Sequence, residues 1–142
     1  LLEKVDKSLF VIDHNPEIIK SLMQKRIDCV YGDCTNIEVL KSVSIKSARL
    51  IVSTIPDLDV NKFLLKYVKS ANKNLPFIAT QNHLHEALDL YEAGADYVIM
   101  PHISTSESAI SMLKRLLHNK AYLKEVRAKH IRHLLDINIT SP

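Results

Sequence analysis

Apolar positions along this chain come in short continuous runs, separated by stretches in which they recur every three to four residues. Five runs are β-branched and four or five residues long: Ser8–Ile12, Asp28–Tyr31, Arg49–Ser53, Phe77–Thr80 and Asp96–Met100. Such runs are the signature of strands buried on both faces. The stretches between them read as helices. Asn15 is placed to cap one with Pro16 in its first position, and Ile18, Ile19 and Leu22 form the inner face. Thr35-x-x-Glu38 predicts a capping box ahead of Leu40 and Val43. Asp57 precedes a helix carrying Val60, Leu64, Tyr67 and Val68. Leu84–Glu92 stops before Gly94, a residue suited to a left-handed helix end.

Strands and helices that alternate at this spacing demand right-handed crossovers and parallel pairing. The predicted class is α/β, a Rossmann-like doubly wound parallel sheet. Past Pro101 the rhythm changes. Ser104 to Leu135 reads as one or two long helices, with Leu113, Leu116, Leu117, Leu123, Val126, Ile131, Leu134 and Leu135 between basic residues. No strand follows, so this stripe is expected to be covered by a second copy of the chain or by a further domain. The predicted division is residues 1–103 for the sheet domain and 104–142 for a helical crossover or linker segment.

Composition refines this picture in two respects. Glycine is scarce, with Gly32 and Gly94 alone among 142 residues. A Rossmann domain opens on a strand and a Gly-x-Gly-x-x-Gly turn that cradles a pyrophosphate; neither is visible, and Leu1–Asp6 reads as the end of the helix that would follow. The expectation is a domain lacking its first strand and glycine-rich turn. Charge is also uneven. Lys114 to His133 holds seven Lys or Arg against one Glu, within a chain of net charge +3. A slightly acidic body therefore carries a basic tail. Tyr122 is the only aromatic within that tail, which argues against base stacking, and no nucleic-acid partner is expected. No apolar run approaches the roughly eighteen residues of a membrane span.

The candidate chemistry lies at strand ends. Leu9-Phe-Val-Ile-Asp13-His-Asn15-Pro16-Glu17 and Cys29-Val-Tyr-Gly32-Asp33-Cys34-Thr35-Asn-Ile-Glu38 each place an acid at the carboxyl end of a strand. Ligands of open parallel sheets sit at that edge. One carboxylate there can accept both hydroxyls of an adenosine ribose, and the next can face the adenine. The bland alternatives are a helix cap for Asp13 and a turn residue for Asp33. Cys34 reads as a small residue beside the base, since no neighbouring cation in sequence would activate its thiol, and Cys29 reads as core. His83-x-His85 is the only close histidine pair and lacks a nearby third ligand, so no metal site is expected. His102, His118, His130 and His133 read as solvated.

An enzyme is the competing class. An S-adenosylmethionine-dependent methyltransferase or another Rossmann enzyme would also place acids at these two strand ends. However, Ser53-Thr-Ile-Pro56-Asp57 fits poorly where methyltransferases often carry Asn/Asp-Pro-Pro-aromatic. None of the five tyrosines has a lysine four residues on, as short-chain dehydrogenases require. No catalytic residues are assigned, and the expected class is a non-enzyme.

Val-Ile-Asp13-x-Asn-Pro-Glu, Tyr-Gly32-Asp33-Cys-Thr, Ala48-Arg-Leu-Ile-Val-Ser53-Thr54, Ile-Ala79-Thr and Ala93-Gly94-Ala95-Asp96-Tyr-Val-Ile-x-Pro101 together resemble the TrkA-N, or RCK/KTN, domain. The resemblance covers residues 1–103 in order and spacing. It implies a cytoplasmic regulatory module, held at the inner face of the cell membrane by a potassium channel or a cation/proton antiporter. It further implies that Asp13 holds the adenosine ribose and that Asp33 and the Cys34 backbone face the adenine. Ser53, Thr54 and Ile55 would then lie along the ribose-phosphate path. Gln81 stands where the family often has a basic residue that reaches toward phosphate. The implied ligand is NAD(H), with ADP, ATP or AMP as alternatives; Asp13 favours NAD(H) over NADP(H), because a carboxylate repels a 2′-phosphate. The implied partners are a membrane transporter or channel subunit and a second copy, joined through the 104–135 helix.

Overall fold

The structure, a computed structural model, describes residues 9–102 and 106–140. The expected helix end at Leu1–Asp6, the strand start at Ser8 and the helix start at Ser104 lie outside the described residues, as does the side chain of Leu116. The described residues divide into two compact units, one up to Ile45 and one from Lys46.

The first unit is a strand-helix-strand-helix run: β1 (Phe10–Asp13), α1 (Pro16–Gln24), β2 (Asp28–Tyr31) and α2 (Ile37–Ser42). β1 and β2 pair in parallel, with Phe10 opposite Asp28 and Asp13 opposite Tyr31. Leu22 of α1 and Leu40 of α2 are its most buried helical side chains. Asn15 caps α1 as predicted, accepting from the Glu17 N–H at 3.0 Å, with Pro16 next. α1 ends on Arg26, a non-glycine residue at φ 57°. The Arg26 N–H donates to Met23 O (3.0 Å) and the Ile27 N–H to Leu22 O (3.0 Å), the double bond of a left-handed helix stop. The cap of α2 differs from the prediction. Asn36, not Thr35, accepts from the Glu38 N–H at 2.9 Å. The reason is that Thr35 is already held by Asp33.

The second unit contains β3 (Ile51–Val52), α3 (Leu58–Ala71), β4 (Phe77–Thr80), α4 (Leu84–Glu92), β5 (Tyr97–Ile99), α5 (Ser106–His118) and α6 (Lys120–Thr140). Its strands form a parallel sheet in the order β3-β4-β5. β4 lies in the middle, and Phe77, Ile78 and Ala79 are fully buried. Side chains alternate across a strand. Ile78 meets Tyr97, Met112, Leu113 and Leu123 in one cluster, flanked by Tyr122 and Val126, while Phe77 and Ala79 point to the other face. α3 is capped by Asp57, which accepts from the Val60 N–H at 2.9 Å. α4 ends at Gly94, φ 106°, with the Ala95 N–H on Leu90 O and the Gly94 N–H on Tyr91 O.

α5 and α6 settle the fate of the apolar stripe. Leu123 is 6% exposed and Leu134 is 0% exposed, and Leu123 packs in the cluster around Ile78 and Tyr97. Each such burial is worth about 1.5–3 kcal/mol. Arg127 fastens α6 further, donating to Ala95 O (3.0 Å) and Tyr91 O (2.8 Å). The expectation that these leucines seek cover elsewhere is therefore corrected: the body of the same chain buries them. Among the described residues no helix is long and apolar enough to cross a membrane.

Candidate nucleotide site

In the first unit, β1 and β2 run parallel and end side by side. Their register brings two acids to one edge, Asp13 as the last residue of β1 and Asp33 two residues beyond β2. The Gly32 N–H donates to Asp13 O at 3.0 Å, extending the pairing past the strand. Gly32 is required by close approach: a Cβ there would stand 2.8 Å from Val39 Cγ2 of α2.

Each carboxylate is anchored by one oxygen. Asp13 Oδ1 accepts from the Asn15 N–H at 2.7 Å. Asp33 Oδ1 accepts from both the Thr35 N–H and the Thr35 hydroxyl, each at 2.7 Å. These bonds hold the Asp33 carboxyl below its usual pKa, the backbone bond first and the hydroxyl second. The second oxygen of each acid has no hydrogen-bond partner among the described residues. Two oriented carboxylates, each with one free acceptor, suit a ligand that offers hydroxyl and amino donors.

Cys34 is half-buried beside them. Burial raises its thiol pKa, and the charges of Asp33 and Asp13 add to the effect. The thiol therefore stays protonated at neutral pH, unlike that of a nucleophilic cysteine.

The remaining candidates lie in the second unit, after β3 and β4. Ser53 is 5% exposed, and its backbone N–H continues the ladder to Ile78 O at 2.8 Å. Ile55 N–H meets Ser53 Oγ at 3.4 Å, and Thr80 Oγ1 donates to Ser53 O at 2.9 Å. Thr54 is exposed. Gln81 is 0% exposed. In the orientation that satisfies both ends of its amide, Oε1 accepts from the Leu58 N–H (3.0 Å) and Nε2 donates to Glu86 Oε2 (2.9 Å). Gln81 thus joins the end of β4 to the starts of α3 and α4.

Sequence reasoning missed Asn61, the residue that holds this edge together. It is 0% exposed, and its Nδ2 donates to Ile55 O (2.8 Å) and Thr80 O (3.1 Å). Its position in the apolar frame of α3, beside Leu64, Leu65 and Val68, was the available signal. A polar side chain there must find buried partners.

The TrkA-N domain family model matches residues 1–101. The glutathione-regulated potassium-efflux system protein KefC of Salmonella arizonae is 30% identical over 109 residues, covering 77% of this chain and 17% of KefC. The chain thus spans about 17% of the length of the curated relatives it matches. The TrkA-N domain of inner membrane protein ybaL from Escherichia coli superposes with a TM-score of 0.63 at 24% identity, over 76% of this chain and 78% of that one. The Shewanella denitrificans Kef CTD in AMP-bound form superposes with a TM-score of 0.51 at 16% identity, over 87% and 90%. These likenesses show a Rossmann-like α/β fold with parallel sheets. The extent and order of the family match settle the rest: the chain belongs to the TrkA-N family.

Proposed function

We propose that this chain is a regulatory domain that binds an adenine nucleotide, NAD(H) or an adenosine phosphate, and passes its state to a potassium or other cation transporter at the inner face of the membrane. The observation that carries this reading is the pair Asp13 and Asp33, each with one oxygen tethered and one free. Asp13 takes the ribose hydroxyls. Asp33 and the Cys34 backbone take the adenine. Ser53, Thr54 and Ile55 are the proposed contacts in the second unit, and Gln81, fully buried, serves by holding the end of β4 to α3 and α4. The kinship with KefC and the AMP-bound state of the Kef neighbour support both halves of this reading. A protonated Cys34 and carboxylates that recognise donors support binding without catalysis.

Calorimetry with NAD, ADP and AMP tests it. Asp13→Ala should weaken the preferred nucleotide by about 1.5–3 kcal/mol, the range for a hydrogen bond to a charged group. Unchanged affinity would remove the ribose role.

The assembly is proposed as a homodimer, through the outward face of α6. Ala121, Ala128 and Leu135 recur there every seven residues and are exposed, and Ile139 is 81% exposed. Glu125 and Arg132 share this stripe, so antiparallel crossing of two copies sets opposite charges against each other. Replacing Leu135 and Ile139 with Lys should give monomers with the fold intact. Ultracentrifugation showing the parent chain monomeric at tens of micromolar would defeat this.

A further inference from the structure

We infer that the second unit carries a binding site for a small oxyanion at the amino-terminal edge of its sheet, opposite the edge where β3 and β4 end. A cleft of about 300 Å³ opens where Arg49 leads into β3, Leu75 leads into β4, and α5 gives way to α6. This lies in the size range of small-ligand sites.

The chemistry of the lining points to charge of one sign. Arg49, His118, Asn72, Asn74 and Asn119 face the cleft, and among the described residues no carboxylate lines it. Two of the three amide oxygens are spent on the backbone: Asn72 Oδ1 accepts from the Asn74 N–H (3.0 Å), and Asn119 Oδ1 from the Ala121 N–H (3.0 Å). What these two amides have left is Nδ2, a donor. Three carbonyls near the end of α5 are also taken. Leu117 O accepts from Arg49 Nη2 (2.7 Å), Arg115 O from the Asn119 N–H (2.9 Å), and Lys114 O from His118 Nδ1 (2.8 Å). Two amide oxygens and three carbonyls are thus engaged, while the Nδ2 groups of Asn72 and Asn119 and the rest of the Arg49 guanidinium remain as donors.

Arg49 is held in place by its bond to Leu117 O, with the rest of its guanidinium fork still to be used. A planar fork flanked by amide donors matches a carboxylate or phosphate oxygen pair. The amino end of α6, 21 residues long, starts at the same place, and its partial positive charge offsets the partial negative charge at the carboxyl end of α5.

The test is an NMR titration of the 142-residue chain with inorganic phosphate and, separately, succinate, read at the side-chain amides of Asn72 and Asn119 and at Arg49 Nε–H. A saturable shift is expected with at least one probe, and the probe that binds assigns the site to phosphate or to carboxylate. Asn119→Asp and Asn72→Asp keep the oxygen that accepts from the backbone but replace the free donor with negative charge. Each should fold as the parent does and bind about tenfold more weakly or worse. The two positions lie on different elements, so either variant serves if the other fails to fold. The inference is overturned if neither probe gives a saturable shift at tens of millimolar, or if the Asp variants bind as well as the parent.

Discussion

The Tyr91 hydroxyl lies 2.6 Å from Nδ1 of His130, joining α4 to α6. The same hydroxyl accepts from the Val98 N–H at 3.1 Å, so its own proton goes to the imidazole. His130 is therefore neutral, with its hydrogen on Nε2, and Nε2 has no partner among the described residues. Tyr97 stacks on the imidazole at 4.7 Å, and Arg127 lies over the Tyr91 ring at 5.4 Å. Burial raises the Tyr91 phenol. Burial, with His133 nearby, pushes His130 down to about 4.

A histidine with a depressed folded pKa binds fewer protons when folded than when unfolded. Its contribution to stability is complete above the unfolded value of 6.5 and is lost as pH falls through about 4. Urea unfolding should therefore show stability declining across that window. His130→Phe should flatten this part of the profile; an unaltered slope would mean that His130 is not the titrating group.

Ligand discrimination follows from Asp13. NADP(H) should bind more weakly than NAD(H), because the 2′-phosphate meets a carboxylate already fixed by Asn15. Asp13→Asn should narrow that gap while weakening NAD(H). Equal affinities for both dinucleotides in the parent chain would count against placing the ribose here.

Gly32→Ala should cost about 1–3 kcal/mol, the range for overpacking, because the new methyl collides with Val39. The relief available is a shift of α2, which carries Asp33 and its Thr35 anchor along. Nucleotide affinity should fall with stability. Denaturation and calorimetry on the same variant check both, and a fully stable variant would show that Val39 yields easily.

Arg26→Gly should stabilise the chain by about 0.5–1 kcal/mol. Arg26 holds a left-handed backbone at φ 57° that costs a residue bearing a side chain, less the entropy that glycine loses on folding. The midpoint of urea unfolding reports the change. A lowered midpoint would mean that the exposed arginine makes up for its strained backbone.

The sequence made strands and caps legible where local chemistry alone decides them. Asn15-Pro16, Asp57 and Gly94 act on their own neighbours, so reading them needs no knowledge of distant parts. Thr35 misled because Asp33, two residues earlier, competes for the same hydroxyl. The α6 leucines misled for a longer-range reason. Periodicity shows that Leu123 needs cover, but not that Tyr97 of β5 and the face of Ile78 supply it. His130 read as solvated because the hydroxyl that engages it belongs to Tyr91, 39 positions away in the chain. Asp13 and Asp33 were visible as strand-ending acids. The tether on each, which decides which oxygen is free, is a feature of the folded turn alone.

Asn61 makes two separate stretches of backbone answer to one side chain. Its amide grips the loop after β3 and the end of β4 together, from within the first turn of α3. Any displacement of α3 is thereby delivered to Ser53–Ile55 and Thr80 at once, like a lever with two outputs. An asparagine is the smallest group that can do this, since aspartate has no hydrogen to give and leucine would leave both carbonyls without this donor.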